Sequence, residues 1–377
     1  MTLSGIILKV RVKKMNRAYV FCIYPNPLQE ELIQKTFGCV RFVYNQMLSD
    51  KIQYYEETGK NLMVTPARYK SAFLWLKEVD SLALANAQLH LEAAYRNFFR
   101  GESVGFPKFK SKKSTRKSYT TNCVNGNIRI EGGFLVLPKL GKVRIKVHRR
   151  VPDAYQLKSC TVSRRASGKY EVSILYTYET TVELKEIHRV IGLDYSMTEL
   201  YVSSEDEHAA YPRYYRLAQD QLARMQRKLS HMEKDSQNYK KQKRRIGRLH
   251  EHIANQRKDY LHKKSREIAN SWDLVGIENL NMKAMQKALN FGKSVSDNAW
   301  GKFVSYLEYK LKEQGKQLIR IDHWYPSSKL CSQCGRKKED LKLSERVYHC
   351  ECGSKMDRDY NAAMNIRCEA LRIALTA

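Results

Sequence analysis

Four cysteines near the C-terminus constrain the fold of this chain more than any other feature. They form two close pairs, Cys331 with Cys334 and Cys350 with Cys352, separated by 15 residues. Pairs at such spacing are typical of a tetrahedral Zn²⁺ site, and a closed site with four thiolate ligands is structural rather than catalytic. A glycine follows each pair, which permits the tight turn that brings the thiolates to one ion. We therefore expect a structural zinc site with these four cysteines as ligands.

The second cysteine pair departs from the usual spacing. One residue separates Cys350 from Cys352, where two are common, so the second half of the site is expected to be strained. His349 lies directly before this pair and is an alternative ligand. The other five cysteines occur singly along the chain, which indicates free thiols in a reducing cell interior and no disulfide framework.

The charge balance predicts the class of partner. The 377 residues include 68 Lys and Arg against 39 Asp and Glu, which gives a formal charge of +29. A basic surface that only keeps a small domain soluble needs a net charge of about 2–8. A charge this large favours a polyanionic partner, namely nucleic acid. The apolar stretch near the N-terminus is too short for a signal sequence or a membrane span, so we expect a cytosolic or nucleoid-associated protein without a membrane partner.

Two segments concentrate the basic residues. In residues 106–113, Phe106 and Phe109 alternate with lysines, and such a segment can stack on bases while its cations contact phosphates. An ordinary basic loop is the alternative interpretation. Residues 240–248 belong to a helical region in which cations far outnumber acids, which favours a surface that follows a nucleic-acid backbone. The candidate nucleic-acid-binding residues are Lys108, Lys110, Lys112, Lys113, Arg116, Lys241, Lys243, Arg244, Arg245 and Arg248.

The order of the predicted elements divides the chain into three parts. A strand at residues 15–24 and short alternating runs after residue 128 predict a small β-barrel or sheet at residues 1–25 and 106–186. The helices between them form an insertion at residues 26–105. Residues 187–377 alternate strands with helices, which predicts an α/β domain, and the cysteine segment at residues 325–356 is inserted before its last helix. Residues 1–14 look detachable, so Met15 is an alternative start.

Two short apolar strands each end in an acid. Residues 190–194 end at Asp194, residues 274–278 end at Glu278, and Asp359 begins the last helix. Sites in α/β sheets form at the carboxyl ends of the strands, so these acids are expected to converge. Close carboxylates need a cation, and their hard oxygen ligands suit Mg²⁺ or Mn²⁺, which can activate water at a phosphodiester. Three unrelated surface acids are the alternative, but the repeated strand pattern favours a site.

Several motifs together resemble the TnpB/OrfB family of transposon-encoded proteins. They are Gly192-Leu193-Asp194, Gly276-Ile277-Glu278-Asn279-Leu280, residues 326–335 and Asp357-Arg358-Asp359-Tyr360-Asn361. Tyr24-Pro25-Asn26 and residues 107–112 resemble the family's barrel and helical recognition half. The resemblance implies an RNase H-like RuvC nuclease domain with an inserted zinc ribbon, preceded by a β-barrel with a helical insertion. Tyr195 and the short cysteine spacing depart from the family pattern.

The resemblance also implies the function. The chain would be an insertion-sequence-encoded, Mg²⁺-dependent DNA endonuclease that binds a guide RNA and cuts matching double-stranded DNA beside a short flanking motif. Asp194, Glu278 and Asp359 take the places of the family's three catalytic acids. Asp359 is preferred to Asp357 because it stands two residues before Asn361.

Two other functions are compatible with these residues. One is a nuclease-independent RNA-guided DNA-binding repressor, against which the intact set of three acids argues. The other is a transposase, because a similar site of acids and metal can join DNA strands as well as cut them. The sequence does not separate cutting from joining, and it leaves the oligomeric state open.

Overall fold

The computed structural model describes residues 12–101, 104–113, 117–287, 297–342 and 344–376. The chain forms two compact units. The first contains Lys13–Thr180 and Met232–Arg248, and the second contains Thr181–His231 and the chain from Leu249 onward. The finer domain boundaries stay predictions. Within the described ranges, no helix is long and apolar enough to cross a membrane.

The first unit contains a seven-stranded sheet. Its strands are β1 (Val12–Tyr24), β2 (Lys117–Asn122), β3 (Arg129–Glu131), β4 (Phe134–Leu137), β5 (Gly141–Lys146), β6 (Gln156–Arg164) and β7 (Tyr170–Thr181). They are paired in the order β2-β6-β7-β1-β5-β4-β3. The first strand of the chain thus lies inside the sheet, between β7 and β5. Closure of this sheet into a barrel stays a prediction.

Two helices interrupt this sheet between β1 and β2. They are α1 (Pro27–Thr58) and α2 (Ser81–Arg100), with short 3-10 helices at Pro66–Lys70 and Leu74–Lys77 between them. A capping box begins α1, because Asn26 and Gln29 each accept a hydrogen bond from the other's backbone N–H. Ile33, Phe37 and Ala83 pack these helices onto the core of the sheet. The helical segment is therefore an insertion in the sheet topology.

The second unit is built on a four-stranded sheet of β8 (Val190–Tyr195), β9 (Tyr201–Ser203), β10 (Leu274–Glu278) and β11 (Gln317–Ile321). The strand order is β11-β10-β8-β9, with β8, β10 and β11 parallel and β9 antiparallel to β8. The segment at residues 208–211 follows β9 and runs back along it without forming a strand of its own. Pairing there is limited to a bridge between Val202 and His208 and to backbone bonds of Ala209, after which the chain turns toward the next helix.

Helices cover both faces of this second sheet. In the described residues after β9, the helices are α3 (Tyr214–Ser230), α4 (Gln237–Ser271), α5 (Met282–Lys287), α6 (Trp300–Glu313) and α7 (Arg358–Thr376). A hairpin of β12 (Val347–His349) and β13 (Lys355–Asp357) precedes α7. Side chains alternate between the faces of a strand. Leu193 and Ile277 point into a core that includes Leu261 of α4 and Phe303 of α6. The predicted α/β class is confirmed.

The opposite face of the sheet packs directly against the backbone of α7. A Cβ atom at Gly192 would lie 2.1 Å from the carbonyl oxygen of Ala363 and 2.6 Å from the backbone nitrogen of Arg367. A Cβ atom at Gly276 would lie 2.6 Å from Cβ of Ala370. Only glycine leaves room for so close an approach. These two glycines therefore fix α7 on the face of the sheet where the strands end in acids.

Candidate active site

Asp194 and Glu278 lie side by side at the ends of neighbouring strands. In the parallel pair of β8 and β10, Gly276 is opposite Gly192 and Ile277 is opposite Leu193. The next step of this register places Glu278 opposite Asp194. Each acid stands two residues after the glycine that faces α7, so both side chains leave the sheet on the α7 side.

The third acid, Asp359, lies in the first turn of α7. Burial raises the pKa of Asp194 well above its ordinary value, and the carboxylates of Glu278 and Asp359 raise it further, while Arg358 lowers it. Like charges act in this way only at short range. The structure thus brings the three acids of the sequence prediction together at one edge of the sheet. Their catalytic role stays a prediction.

Each of the other two acids has local partners. The hydroxyl of Ser327 donates a hydrogen bond to Oε1 of Glu278. The guanidinium of Arg358 lies 3.3 Å from one oxygen of Asp359, and that of Arg346 lies 3.8 Å from the other. Ser327 is buried, so its hydroxyl holds this Glu278 oxygen from a fixed position.

Asp357, the competing acid, has a structural position. Its Oδ1 accepts hydrogen bonds from the backbone N–H groups of Asp359 at 2.8 Å and Tyr360 at 3.0 Å. These are amides of the first turn of α7, so Asp357 is the N-cap of that helix. Its carboxylate is therefore already used to begin the helix that carries Asp359.

Two asparagines of α7 hold the segment between β11 and the cysteine group. The amide of Asn365 donates to the carbonyl oxygens of Ser327 at 2.7 Å and Leu330 at 2.8 Å. The amide of Asn361 donates to Leu330 at 2.7 Å, and its oxygen accepts from the backbone N–H of Ser332 at 2.9 Å. Both asparagines are buried. The sequence motif with Asn361 did not predict these hydrogen bonds, and Asn365, four residues later on the same helical face, was the available signal.

The four predicted cysteines form one compact group. The sulfur atoms of Cys331 and Cys352 are 3.7 Å apart, and those of Cys334 and Cys350 are 3.6 Å apart. Zn–S bonds of about 2.3 Å in a tetrahedron place sulfurs about 3.8 Å apart, so the group fits a structural zinc site. Across the described parts of the chain, no other set of three or more metal-ligating side chains has its ligand atoms within 4.8 Å of one another. The carboxylates of Asp194, Glu278 and Asp359 therefore lie farther apart than the four sulfur atoms do.

The local backbone explains how the short spacing is accommodated. Gly335 and Gly353 have φ values of +73° and +91°, the left-handed conformation that glycine favours after each pair. His349 is exposed in β12 and does not belong to the group of ligand atoms. Burial raises the pKa of Cys331, but hydrogen bonds from the backbone N–H groups of Cys334 and Gln333, together with those from the thiols of Cys350 and Cys334, lower this pKa to about 7. That shift favours the thiolate, which is the form that binds a metal.

The two predicted basic segments meet in the first unit. Burial lowers the pKa of Lys117, and the positive charges of Arg164, Arg41, Lys112 and Lys243 lower it further. Lys112 belongs to one predicted segment and Lys243 to the other. The candidate residues of α4 are all exposed, namely Lys241, Lys243, Arg244, Arg245 and Arg248. We call the group around Lys117 the cation cluster.

The candidate residues of the first basic segment differ in their surroundings. Lys108, Lys112 and Lys113 are exposed. The ammonium of Lys110 lies 3.8 Å from the ring centroid of Tyr44, and the side chain of Asn45 bonds both the N–H and the C=O of Lys110. Lys110 thus anchors its segment to α1. Arg116 lies outside the described residues.

Comparison with family models gives three matches along the chain. Residues 15–60 match a model described as "Helix-turn-helix domain", and in the structure this range holds β1 and the long helix α1. Residues 173–289 match the OrfB model of insertion sequence IS605, described as "Probable transposase". Residues 300–366 match "Cas12f1-like, TNB domain".

Relatives and a solved structure match over nearly the whole chain. A Streptomyces pristinaespiralis protein named "Putative RNA-guided DNA endonuclease" is 34% identical over 365 residues, which cover 94% of this chain and 89% of the relative. The Escherichia coli protein "Putative RNA-guided DNA endonuclease InsQ" is 30% identical, with 94% and 92% covered. The Cas12f1 chain of a Cas12f1-sgRNA-target DNA complex has the same fold, with a TM-score of 0.55, 13% identity, and coverage of 94% of this chain and 99% of that one. The chain belongs to the TnpB/OrfB family.

Proposed function

We propose that this protein is an RNA-guided, Mg²⁺-dependent DNA endonuclease encoded by an insertion sequence. It binds a transposon-derived guide RNA and hydrolyses double-stranded DNA that matches the guide beside a short flanking motif. In this proposal the second unit is an RNase H-like RuvC nuclease domain with an inserted zinc ribbon, and the seven-stranded sheet of the first unit is a barrel. The names of the two relatives support the class of activity.

One observation carries the chemical part of the proposal. Asp194, Glu278 and Asp359 come from two strands and a helix that are far apart in sequence, yet Glu278 and Asp359 both act on the pKa of Asp194. A fold does not gather three carboxylates at a strand edge without cost, because like charges oppose one another. A bound cation reverses this repulsion, so the arrangement fits a metal site of hard oxygen ligands.

The three carboxylates would hold Mg²⁺ or Mn²⁺ at the strand ends. When bound, such ions supply an activated water and stabilise the leaving oxygen of a phosphodiester. The chain itself positions the ligands: the glycine contacts hold α7, and α7 carries Asp359. Ser327 fixes the orientation of Glu278 through its hydroxyl. The cysteine group would bind Zn²⁺ as a structural ion that stabilises the segment leading to α7.

The cation cluster supports the nucleic-acid part of the proposal. Several cations around Lys117 repel one another, and phosphates would offset that repulsion. Backbone contacts of this kind position a nucleic acid and do not read its sequence. In a guided nuclease, base pairing with the RNA reads the target, so the protein needs mainly such contacts. The solved structure with the shared fold is a complex of Cas12f1 with sgRNA and target DNA, which is consistent with both partners.

The test begins with the RNA that copurifies with the full chain. We expect sequencing to find one defined species, whose end supplies the guide. A plasmid library that matches this guide beside a randomised flanking segment should then be linearised in Mg²⁺ and left intact in EDTA. Asp194→Ala is the matched control, because it should retain the RNA and bind target DNA within a few-fold of wild type without cutting it.

The products separate the proposal from its two alternatives. A guided repressor would bind the matched plasmid and leave it uncut at every Mg²⁺ and Mn²⁺ concentration. A transposase would yield joined strands, which sequencing across the junctions detects, where a nuclease yields free ends. Random RNA fragments in place of a defined species would contradict the guided mechanism.

A salt titration tests the cation cluster separately. Each phosphate contact contributes a little under one unit to the slope of log affinity against log salt concentration, about 0.9 for duplex DNA. We expect Lys112→Gln combined with Lys243→Gln to reduce this slope and weaken binding to unrelated sequences alike. An unchanged slope would show that these lysines only contribute to a solvated surface. A changed flanking-motif preference would make them base readers.

A further inference from the structure

One tryptophan of the second unit is far more exposed than the other three of the chain. Trp324 has 84% of its surface exposed, whereas Trp75 has 36% and Trp300 has 2%, and Trp272 is half-buried. Trp324 is also more exposed than any other large apolar residue among the described part of the chain. A large aromatic surface in water is unfavourable, and exposed aromatic side chains are frequently the ones that contact a ligand.

The sheet register places the segment that carries Trp324 at the same edge of the sheet as Glu278. Strand β11 runs parallel to β10, with Ile321 opposite Glu278. The residues after Ile321 therefore leave the sheet at the same edge as Glu278. The ring of His323 makes a hydrogen bond of 3.1 Å with the carbonyl oxygen of Asn279, the residue that follows Glu278. The Trp324 ring lies 5.0 Å from the His323 ring, so it is one side chain away from the end of β10.

The backbone around Trp324 is held in place. Oδ1 of Asp322 accepts a hydrogen bond of 2.7 Å from the N–H of Trp324, and the carbonyl oxygen of Asp322 accepts one of 3.2 Å from Tyr325. Three residues further on, Ser327 contacts Glu278 and is itself bound by Asn365 of α7. The loop that carries Trp324 is therefore attached to the elements that position Glu278 and Asp359. The indole is presented from a fixed backbone and not from a free loop.

We propose that Trp324 stacks on a base of the DNA strand whose phosphodiester lies at the three acids. This inference rests on the proposed nuclease function. A nucleobase is the occupant that fits, since a strand with its phosphate at the acids must place its neighbouring bases along this edge. Stacking on an aromatic face is tolerant of sequence, because every base has a π-face. Trp324 would thus hold the strand for cutting without restricting which sequence is cut.

The first test compares substitutions at Trp324. We expect Trp324→Ala to lower the cleavage rate at limiting target by about 5- to 150-fold, the range measured for loss of one base-stacking contact. Trp324→Phe should retain most of the activity, because phenylalanine keeps a flat aromatic face. Leu375→Ala is the matched control, since Leu375 is 75% exposed on α7 of the same unit, and it should cleave like wild type. Thermal stability should be unchanged in all three variants.

An abasic scan makes the test specific to stacking. Target strands with a single abasic nucleotide at successive positions are cleaved by wild type and by Trp324→Ala. At one position the abasic nucleotide should lower the cleavage rate of wild type by the same factor as Trp324→Ala does. The same abasic nucleotide should not lower the rate of Trp324→Ala any further, because the two changes remove the same contact. Additive losses at every position would overturn the proposal, as would Trp324→Phe failing as badly as Trp324→Ala.

A binding measurement separates this inference from the nuclease function. A single-stranded oligonucleotide should quench the fluorescence of wild type more than that of Trp324→Phe, even if no target is ever cut. If wild type cleaves its target and the variants show the same cleavage and the same quenching, the role of Trp324 is refuted and the nuclease function is not. A change of oligomeric state in Trp324→Ala would show that a second copy covers the indole, and would also refute it.

Discussion

Substitution of Gly192 by alanine should strongly reduce cleavage although it removes no catalytic group. The glycine lies in β8 two residues before Asp194, with its Cα against the backbone of α7. A methyl group there would meet the carbonyl oxygen of Ala363 at 2.1 Å and the nitrogen of Arg367 at 2.6 Å. Both are backbone atoms, so no change of side-chain rotamer can relieve the clash.

The size of the effect follows from these distances. Ordinary contact with a Cβ atom begins at 3.4 Å, so the strand and α7 must separate by about 1 Å. Overpacking of this kind destabilises a protein by about 1–3 kcal/mol, and occasionally by more. Because Asp359 lies on α7, the same shift moves one acid relative to Asp194. A misplacement of about 1 Å at reacting groups can lower the rate by about 100-fold.

Two other glycines provide a graded comparison. At Gly276 the nearest atom is the methyl group of Ala370, at 2.6 Å, followed by the carbonyl oxygen of Ile366 at 2.9 Å, so Gly276→Ala should be milder. At Gly301 in α6 no atom lies within 4 Å. Gly301→Ala should therefore leave cleavage unchanged and stabilise its helix slightly, by at most about 1 kcal/mol.

The assay measures cleavage of a guide-matched plasmid and the melting temperature of each variant in parallel. The expected order of activity loss is Gly192→Ala, then Gly276→Ala, with Gly301→Ala equal to wild type. A folded Gly192→Ala protein that cleaves at the wild-type rate would refute the idea that this contact positions Asp359. Equal losses for Gly192→Ala and Gly301→Ala would show a general response to added volume.

Three further outcomes are expected. Asp359→Ala should abolish cleavage, whereas Asp357→Ala should retain cleavage and lose about 0.5–2 kcal/mol of stability, because it removes the helix cap. Cleavage and melting temperature are measured for both variants, and loss of cleavage in Asp357→Ala alone would exchange the two roles. Metal analysis should find about one Zn²⁺ per chain, lost in Cys334→Ser and kept in His349→Ala; a zinc-free active protein would contradict the structural site. Burial lowers the pKa of Lys310 from 10.5 to about 8. Between pH 8 and pH 10.5 the unfolded chain therefore keeps a proton that the folded chain has released, and the free energy of unfolding should rise with pH. Denaturant titrations should show that rise, about 3 kcal/mol, in wild type and not in Lys310→Met.

The sequence alone determined the features that depend on residues close together in the chain. The cysteine pairs with their glycines, the two apolar strands that end in Asp194 and Glu278, and the helical periodicity all follow from local residue patterns. Side-chain chemistry and spacing act over a few residues, so these patterns predict an α/β class and a four-cysteine metal site without knowledge of contacts. The family motifs are local in the same sense.

The tertiary structure decided everything that depends on distance through space. It separated Asp357, which caps α7, from Asp359, whose charge raises the pKa of Asp194, although only one residue lies between them. It left His349 outside the cysteine group and brought Lys112 together with Lys243 from segments more than a hundred residues apart. Such outcomes depend on strand register and on how closely a helix approaches a sheet, here on two glycines. Register and approach are set by packing between distant parts of the chain, and a single sequence does not record them.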